Sequence, residues 1–429
     1  MTTFEDLGLG PTLLKALEGA GLTTPTPIQA KAIPLAIEGR DVLGLAQTGT
    51  GKTLAFGLPL VDALLAEPGK PQPKSVKALV LAPTRELVNQ IAENLRPLVK
   101  GTKLRVSTVI GGQSINKQIG FLARGTDILV ATPGRLIDLM DREAVDLSRT
   151  FQLVLDEADQ MLDMGFIHAL RKIAPRLGTP RQTMLFSATM PKEMEELSGA
   201  YLTDPVKVQV SPPGKAADKI TQSLHFAEKA EKPALLRELL TDELTLVFCR
   251  TKHGAERLMK GLVADGYDAA SIHGNKSQGQ RDRALKAFKI GEINILVCTD
   301  VAARGIDIPG VAYVVNYDLP EVPENYVHRI GRTARAGREG EAIAFCAADE
   351  IGYLKGIEKL MKLEIPVAGG ERPEEAQPPH KKRSGGGGGR RGGGGQGRKP
   401  QGQKPKQRTT DGQPNNNQRR RRPRRRKAA

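Results

Sequence analysis

The sequence predicts an α/β protein: two tandem domains with parallel sheets, followed by a basic tail without a fold of its own. Three observations carry this. Short apolar runs alternate with amphipathic stretches from Phe4 to Val210. The same rhythm restarts after Lys219, and from Gly369 the residues able to build a core nearly vanish. Strands alternating with helices imply a parallel sheet covered on both faces.

In the first half the strand-like runs are "DVLGLA", "KALVLAP", "RVSTVIG", "DILVATP", "QLVLDE" and "QTMLFSAT", with helical patterns such as "ELVNQIAENLRPLV" between them. Residues 1–210 are read as one domain. "SPPGKAADK", Ser211 to Lys219, is read as a linker. Residues 220–368 form the second domain, with "LTLVFCR", "DAASIHG", "INILVCTD", "VAYVVNYD" and "EAIAFCA" as strands and a closing helix around Glu350 to Lys362. The halves share a rhythm but no sequence repeat. Residues 369–429 should be disordered, because "SGGGGGRRGGGGQGRKP" and "QRRRRPRRRKAA" cannot offset the entropy of ordering.

The chain has 429 residues and a formal charge of +16. Lys381 to Ala429 holds 18 basic residues and one acid, a charge of +17. The preceding residues hold 46 basic and 47 acidic side chains, so the body carries −1. A nucleic-acid or other anionic partner is therefore expected of the tail. "MTTFEDLGLG" lacks the pattern of a secretory signal. No apolar run approaches the ~18 residues of a membrane span. Cys249, Cys298 and Cys346 each sit in an apolar strand-like run and read as buried thiols, without metal spacing or a disulfide framework. A reducing, cytoplasmic setting fits.

Chemistry concentrates in a few places. "DVLGLAQTGTGKT" ends a strand with a glycine-punctuated loop and runs into a helix. Ala46 to Thr53 matches the phosphate-binding loop, except that Ala46 replaces the usual first glycine. Gly49 and Gly51 let backbone N–H groups turn around an anion, and the helix N-terminus adds its dipole. Lys52 supplies a charge to the outer phosphates, and the Thr53 hydroxyl can ligate Mg²⁺. "QLVLDE" puts Asp156 and Glu157 at the carboxyl end of a strand, where parallel sheets gather ligands. One acid can hold Mg²⁺ through water while its neighbour orients or deprotonates an attacking water, as phosphoanhydride hydrolysis requires. A solvated turn is the bland alternative. Asp159 fits neither role and reads as a brace to another motif.

Together "AQTGTGKT", "VLDEAD", "SAT" (Ser187 to Thr189) and "HRIGRTARAG" (His328 to Gly337) resemble a DEAD-box ATP-dependent RNA helicase. "PTREL", Gly111–Gly112, "TPGR", "VFCRTK" and "TDVAARGIDIP" extend the likeness in the family's order, from about Phe4 to Lys362. The tail and "FEDLGL" look most like the bacterial RhlE-like branch. The resemblance implies two RecA-like domains of the P-loop NTPase, helicase superfamily 2 type, with ATP and Mg²⁺ in the cleft between them. "GLTTPTPIQ" resembles the Q motif, so Gln29 would read the adenine edge and Phe4 would stack on the base. An amide suits adenine because it both donates and accepts. Thr24, Gln47, Thr48, Gly49, Thr50 and Gly51 complete the implied nucleotide site. Arg332 and Arg335 resemble arginine fingers, which would stabilise charge at the γ-phosphate. Asp307 resembles the ribose-binding acid. His328 resembles a residue that couples the ATP side to the RNA side through Asp159 and Gln160, with Ser187 and Thr189. Ala334 stands where many relatives have glycine.

Because Lys52 and Glu157 lie in one half and the arginines in the other, hydrolysis would require closure. The resemblance names RNA as the activator. The implied RNA contacts are Thr84, Arg85, Gly111, Gly112, Thr132, Pro133, Gly134, Arg135, Thr251, Gln280, Arg281, Thr299 and Arg304. Turns, hydroxyls and isolated arginines suit phosphates and 2′-hydroxyls and not base edges, so the grip should be indifferent to sequence. The choice of RNA over DNA rests on the resemblance alone. The tail has no aromatic residue after Lys381, so phosphate neutralisation should dominate there. It would act as a non-specific RNA tether. An RNA-stimulated ATPase that remodels short duplexes is the leading expectation. An RNA chaperone or annealer and an ATP-gated clamp are the alternatives. Ribosomal precursors or RNA-decay proteins are possible partners.

Overall fold

The computed structural model describes residues 2–372, apart from 48, 68, 211–219, 304–307, 309 and 335–338. Among these residues are two seven-stranded sheets, parallel throughout, one in each half. The expected linker and residues 373–429 of the tail lie outside the described residues, whereas Gly369, expected to open the tail, is the last residue of a strand.

In the first half the strands are β1 (Val42–Leu45), β2 (Val76–Leu81), β3 (Val106–Val109), β4 (Thr126–Ala131), β5 (Gln152–Leu155), β6 (Gln182–Ser187) and β7 (Val206–Gln209). Their order in the sheet is β3-β4-β2-β5-β6-β1-β7. The helices are α1 (Pro11–Gly19), α2 (Pro27–Ile37), α3 (Lys52–Ala66), α4 (Arg85–Leu98), α5 (Ile115–Leu122), α6 (Pro133–Asp141), α7 (Ala158–Asp163), α8 (Ile167–Ile173) and α9 (Lys192–Tyr201).

The second half contains β8 (Ile220–Phe226), β9 (Thr245–Phe248), β10 (Ala269–Ile272), β11 (Ile295–Cys298), β12 (Tyr313–Asn316), β13 (Gly340–Cys346) and β14 (Val367–Gly369), in the order β10-β11-β9-β12-β13-β8-β14. Its helices are α10 (Lys232–Leu239), α11 (Lys252–Ala264), α12 (Gln278–Lys289), α13 (Asp300–Ala303), α14 (Pro323–Ile330) and α15 (Ile351–Met361). Adding seven to each strand number of the first sheet reproduces the second. The halves thus share one topology without sharing a sequence.

Three strands have no counterpart among the sequence runs: β7, β8 and β14. "VKVQ" and "ITQSLHF" alternate buried and exposed positions, unlike the unbroken apolar runs of strands covered on both faces. Each half buries two layers. On one side of the first sheet, α1 to α4 pack as a cluster around Phe56 and Phe186, whose rings are 5.6 Å apart. On the other side, Leu136, Leu139, Leu170 and Met194 lie under α6, α8 and α9. Helix α3 is apolar nearly all round, with Phe56, Leu58, Leu60 and Val61 fully buried. Each such side chain contributes roughly 1.5–3 kcal/mol on leaving water, so the helix behind the phosphate loop is firmly seated.

Candidate active site

The phosphate loop leaves β1 at Leu45. Ala46 continues the ladder by donating its N–H to the Ser187 carbonyl at 3.0 Å. Gly49 (φ +84°) and Gly51 (φ +90°) then take left-handed conformations. At Gly51 a Cβ would lie 2.5 Å from Gln29 Nε2, so only glycine fits. Lys52 opens α3 with its Nζ buried, donating to the Ala46 carbonyl at 3.1 Å and standing 4.0 Å from Asp156 Oδ1. Thr53 follows, half-buried, and Thr50 closes the turn by donating to the Gln47 carbonyl at 2.8 Å.

Gln29 is 3% exposed and already engaged. Its Oε1 accepts from Thr26 N–H at 2.9 Å and its Nε2 donates to the Gly51 carbonyl at 3.0 Å. Its first job is to brace the phosphate loop. One N–H and one lone pair remain for a base. Thr24 is exposed beside it. Phe4 is 4% exposed and packs in the hydrophobic cluster, so a stacking base would meet little of its ring.

At the end of β5, Asp156 and Glu157 are buried. Glu157 adopts φ +52°, a conformation that costs a non-glycine residue and that turns the chain sharply into α7. Its Oε2 is buried without a partner. Burial pushes the Asp156 carboxyl up to about 6, with Lys52 opposing and Glu157 adding to the shift. Asp159 ties α7 to the segment after β6. Its Oδ2 accepts from the Ala188 N–H (3.0 Å), the Thr189 N–H (2.9 Å) and the Thr189 hydroxyl (3.0 Å). Ser187 Oγ accepts from the Asp159 N–H and donates to the Thr189 carbonyl. Gln160 is buried beside them with its Oε1 unpartnered.

The second half brings α14 to this place. Burial holds His328 below the usual histidine range, against the charges of Asp159 and Glu157 and with those of Arg332 and Lys52. Groups from both halves therefore share one electrostatic neighbourhood. Arg332 is buried and donates from Nε to the His328 carbonyl at 3.2 Å. Arg329 between them is 2% exposed. It grips Asp300 with both Nε (2.5 Å) and Nη2 (2.7 Å), and its Nη1 reaches the Asp318 carbonyl at 2.7 Å. Thr48, Arg304, Asp307 and Arg335 lie outside the described residues.

The expected RNA contacts divide. Thr84 and Thr251 cap α4 and α11, accepting from Leu87 N–H (3.2 Å) and Gly254 N–H (3.0 Å). Thr132 precedes α6, whose first residues Pro133 and Gly134 lead to Arg135, held by the Gln113 carbonyl at 3.1 Å. The Arg85 guanidinium lies against Gly111 and Gly112, so close that a Cβ at Gly112 would strike it. Thr299 sits buried at the end of β11.

Arg281 departs from expectation. It is 8% exposed, and its Nη2 lies 2.9 Å from Glu86 Oε2 in the other half. Gln280 faces solvent and caps its own helix, its Oε1 accepting from the Ser277 N–H at 2.9 Å. The inward-facing amide is Gln278, which donates to Glu86 Oε1 at 3.1 Å and accepts from Arg85 at 3.3 Å. In this contact the Arg281 guanidinium is buried against Glu86 and does not face open solvent. Glu86 and Gln278 went unnoticed in the sequence because an acid in a helix's first turn already has a local reason, the helix dipole.

Two family models match: DEAD/DEAH box helicase over residues 26–197 and helicase conserved C-terminal domain over 231–337. The ATP-dependent RNA helicase CshA of Limosilactobacillus reuteri is 45% identical over 365 residues, covering 84% of this chain and 72% of that one. Among solved structures, S. cerevisiae Dbp5 bound to RNA and ADP BeF3 matches with a TM-score of 0.75 and 32% identity, over 86% of this chain and 96% of that one. Mss116p bound to ssRNA and AMP-PNP matches with a TM-score of 0.78 and 29% identity, over 87% and 80%. No helix among the described residues is long and apolar enough to cross a membrane. By motif, topology and likeness to these proteins, the chain belongs to the DEAD-box family of ATP-dependent RNA helicases.

Proposed function

We propose that the chain is an RNA-stimulated ATPase that locally unwinds short RNA duplexes through ATP-driven closure of its two halves. One observation carries the reading: Lys52, Asp156 and Glu157 of the first half share a neighbourhood with His328 and Arg332 of the second. The relatives support it, being named ATP-dependent RNA helicases or solved with RNA and a nucleotide analogue.

Lys52 and the amides of Gly49 to Thr53 would hold the outer phosphates. Glu157, with its unpartnered oxygen, would take a proton from the attacking water. Arg332, together with Arg335, would face the charge that develops as the phosphoanhydride bond breaks. The donors fit Mg²⁺: hard oxygens on Thr53 and Asp156, in a pocket where burial raises the Asp156 pKa and so favours a nearby cation. When bound, the ion would supply positive charge to the phosphate oxygens. Thr84, Arg85, Gly111, Gly112, Thr132, Pro133, Gly134, Arg135, Thr251, Gln280 and Thr299 remain candidates for RNA phosphates and sugars, as does Arg304, outside the described residues.

The proposed division is 1–210, 211–219, 220–368 and 369–429, with the last segment an RNA tether and the protein cytoplasmic. The tail and "FEDLGL" support the RhlE-like branch, whereas the 45% identity to CshA supports a different one.

The test is ATP hydrolysis by the purified chain with no nucleic acid, with single-stranded RNA and with matched DNA. Strong stimulation by RNA alone is expected. Equal rates in all three would remove the closure mechanism. Glu157→Gln should abolish turnover and unwinding together, and remodelling retained without turnover would favour the chaperone.

A further inference from the structure

The shared sheet order allows the halves to be compared position by position. Strands β8, β9, β12 and β13 correspond to β1, β2, β5 and β6. Lys52 is the first residue of the helix after β1, and Lys232 is the first residue of the helix after β8. Both are buried. Lys52 stands 4.0 Å from Asp156, beyond the end of β5, and Lys232 stands 3.8 Å from Asp318, beyond the end of β12.

Each half also has a cavity at this place. One of about 330 Å³ is bounded by Lys52, Asp156 and the α4 face of Leu87, Gln90 and Asn94. The other, about 510 Å³, is bounded by Lys232, Asp318 and the α11 face of Gly254, Arg257 and Gly261. Counted from the capping threonines Thr84 and Thr251, those three positions on each helix coincide. The carboxyl ends of β9 and β12 are where the second sheet's connections diverge to opposite sides, the position at which doubly wound sheets bind ligands.

The two sites differ in what faces the lysine. The loop before Lys232, "AEKAE", has no glycine, and Pro233 replaces the hydroxyl of Thr53. The amine of Lys232 is held by the carboxylate of Glu350, 1% exposed. Its Oε2 accepts from Lys232 Nζ at 2.6 Å and from the Ala347 N–H at 3.1 Å. Its Oε1 accepts from the Leu319 N–H at 3.2 Å and from the Arg250 guanidinium. A lysine, an arginine and two backbone amides converging on two oxygens are the donor set of an oxyanion site.

We infer that the second half retains a counterpart of the phosphate site and that Glu350 of the chain itself is its resident anion. The site takes a tetrahedral or planar oxyanion, and the built-in carboxylate excludes a second nucleotide. It also fixes Arg250, whose neighbour Thr251 caps α11 on the expected RNA side.

The test uses the full chain carrying Lys52→Ala, which silences the first site, with and without Glu350→Ala. Inorganic phosphate is the probe and the thermal midpoint the readout. With Glu350 removed, the midpoint should rise roughly 5–10 °C at phosphate ~100 times its dissociation constant. With Glu350 present it should not move. A folded Glu350→Ala chain without the rise, or an equal rise with Glu350 in place, overturns the inference. If Glu350→Ala is unfolded at every phosphate concentration, equilibrium dialysis of ADP against the unaltered chain decides: one site per chain supports the filled counterpart, and two overturn it.

Discussion

Arg281→Ala should weaken the coupling between RNA and ATP by loosening the contact between halves. In the structure, Arg281 and Glu86 meet at 2.9 Å with both side chains at most 10% exposed. Removing one partner of a buried pair costs about 3–5 kcal/mol when the other charge stays trapped. Two features reduce this. Glu86 keeps the Gln278 amide at 3.1 Å, and opening of the halves returns Glu86 to water. The loss then falls on closure and amounts to about 2–3 kcal/mol, or roughly 30- to 150-fold in the closure equilibrium. The assay is the RNA concentration that half-maximally stimulates ATP hydrolysis, measured for Arg281→Ala, Glu86→Ala and the double variant. Each single variant should need far more RNA, and the double should be little worse than either. If the two losses instead multiply, Arg281 and Glu86 do not act through each other, and Arg281 returns to the RNA contacts.

Further outcomes can be checked singly. Gly51→Ala should cost at least tenfold in nucleotide affinity by equilibrium binding, since its Cβ would meet Gln29 at 2.5 Å and φ is +90°. Ala334→Gly should raise thermal stability by about 0.5 kcal/mol, because relief of a left-handed alanine (φ +54°) outweighs the added freedom of the unfolded chain. Asp156 has its folded pKa raised from 3.8 to about 6, so its protonated form is favoured on folding and its effect on stability worsens as pH rises from about 4 to 6. Asp156→Asn should therefore stabilise the nucleotide-free chain by about 3 kcal/mol at pH 7.5 and little at pH 4, by denaturant titration. Deleting Lys381 onward should weaken RNA binding and flatten its salt dependence, and an unchanged slope would remove the tether role.

Much of this was legible in the sequence because the chemistry is local. A strand, two glycines, a lysine and a helix fall within thirteen residues, and the acids directly follow an apolar run. Strands covered on both faces announced themselves as unbroken apolar stretches. Strand β8 did not, because three of its seven side chains, at alternate positions, are exposed or of intermediate exposure. The Glu86–Gln278–Arg281 contact was illegible for another reason. Its members are some 190 residues apart, and each has an ordinary reading on its own helix. Glu350 likewise reads as the start of a helix until the sheet order sets it before Lys232.

The position of β1 has a consequence for synthesis. It is sixth in the sheet, hydrogen-bonded to β6 on one side and β7 on the other, yet it is the first of the sheet's seven strands to be made. Until the ribosome has added Ser187 and then Gln209, β1 has neither neighbour, and the loop it carries has no wall to stand on. A nascent chain should therefore gain the ability to hold ATP abruptly, once β6 and β7 have been made. Stalled chains ending before β6 would expose an apolar strand to the chaperones at the tunnel mouth, and the arrangement repeats with β8, which waits for β13.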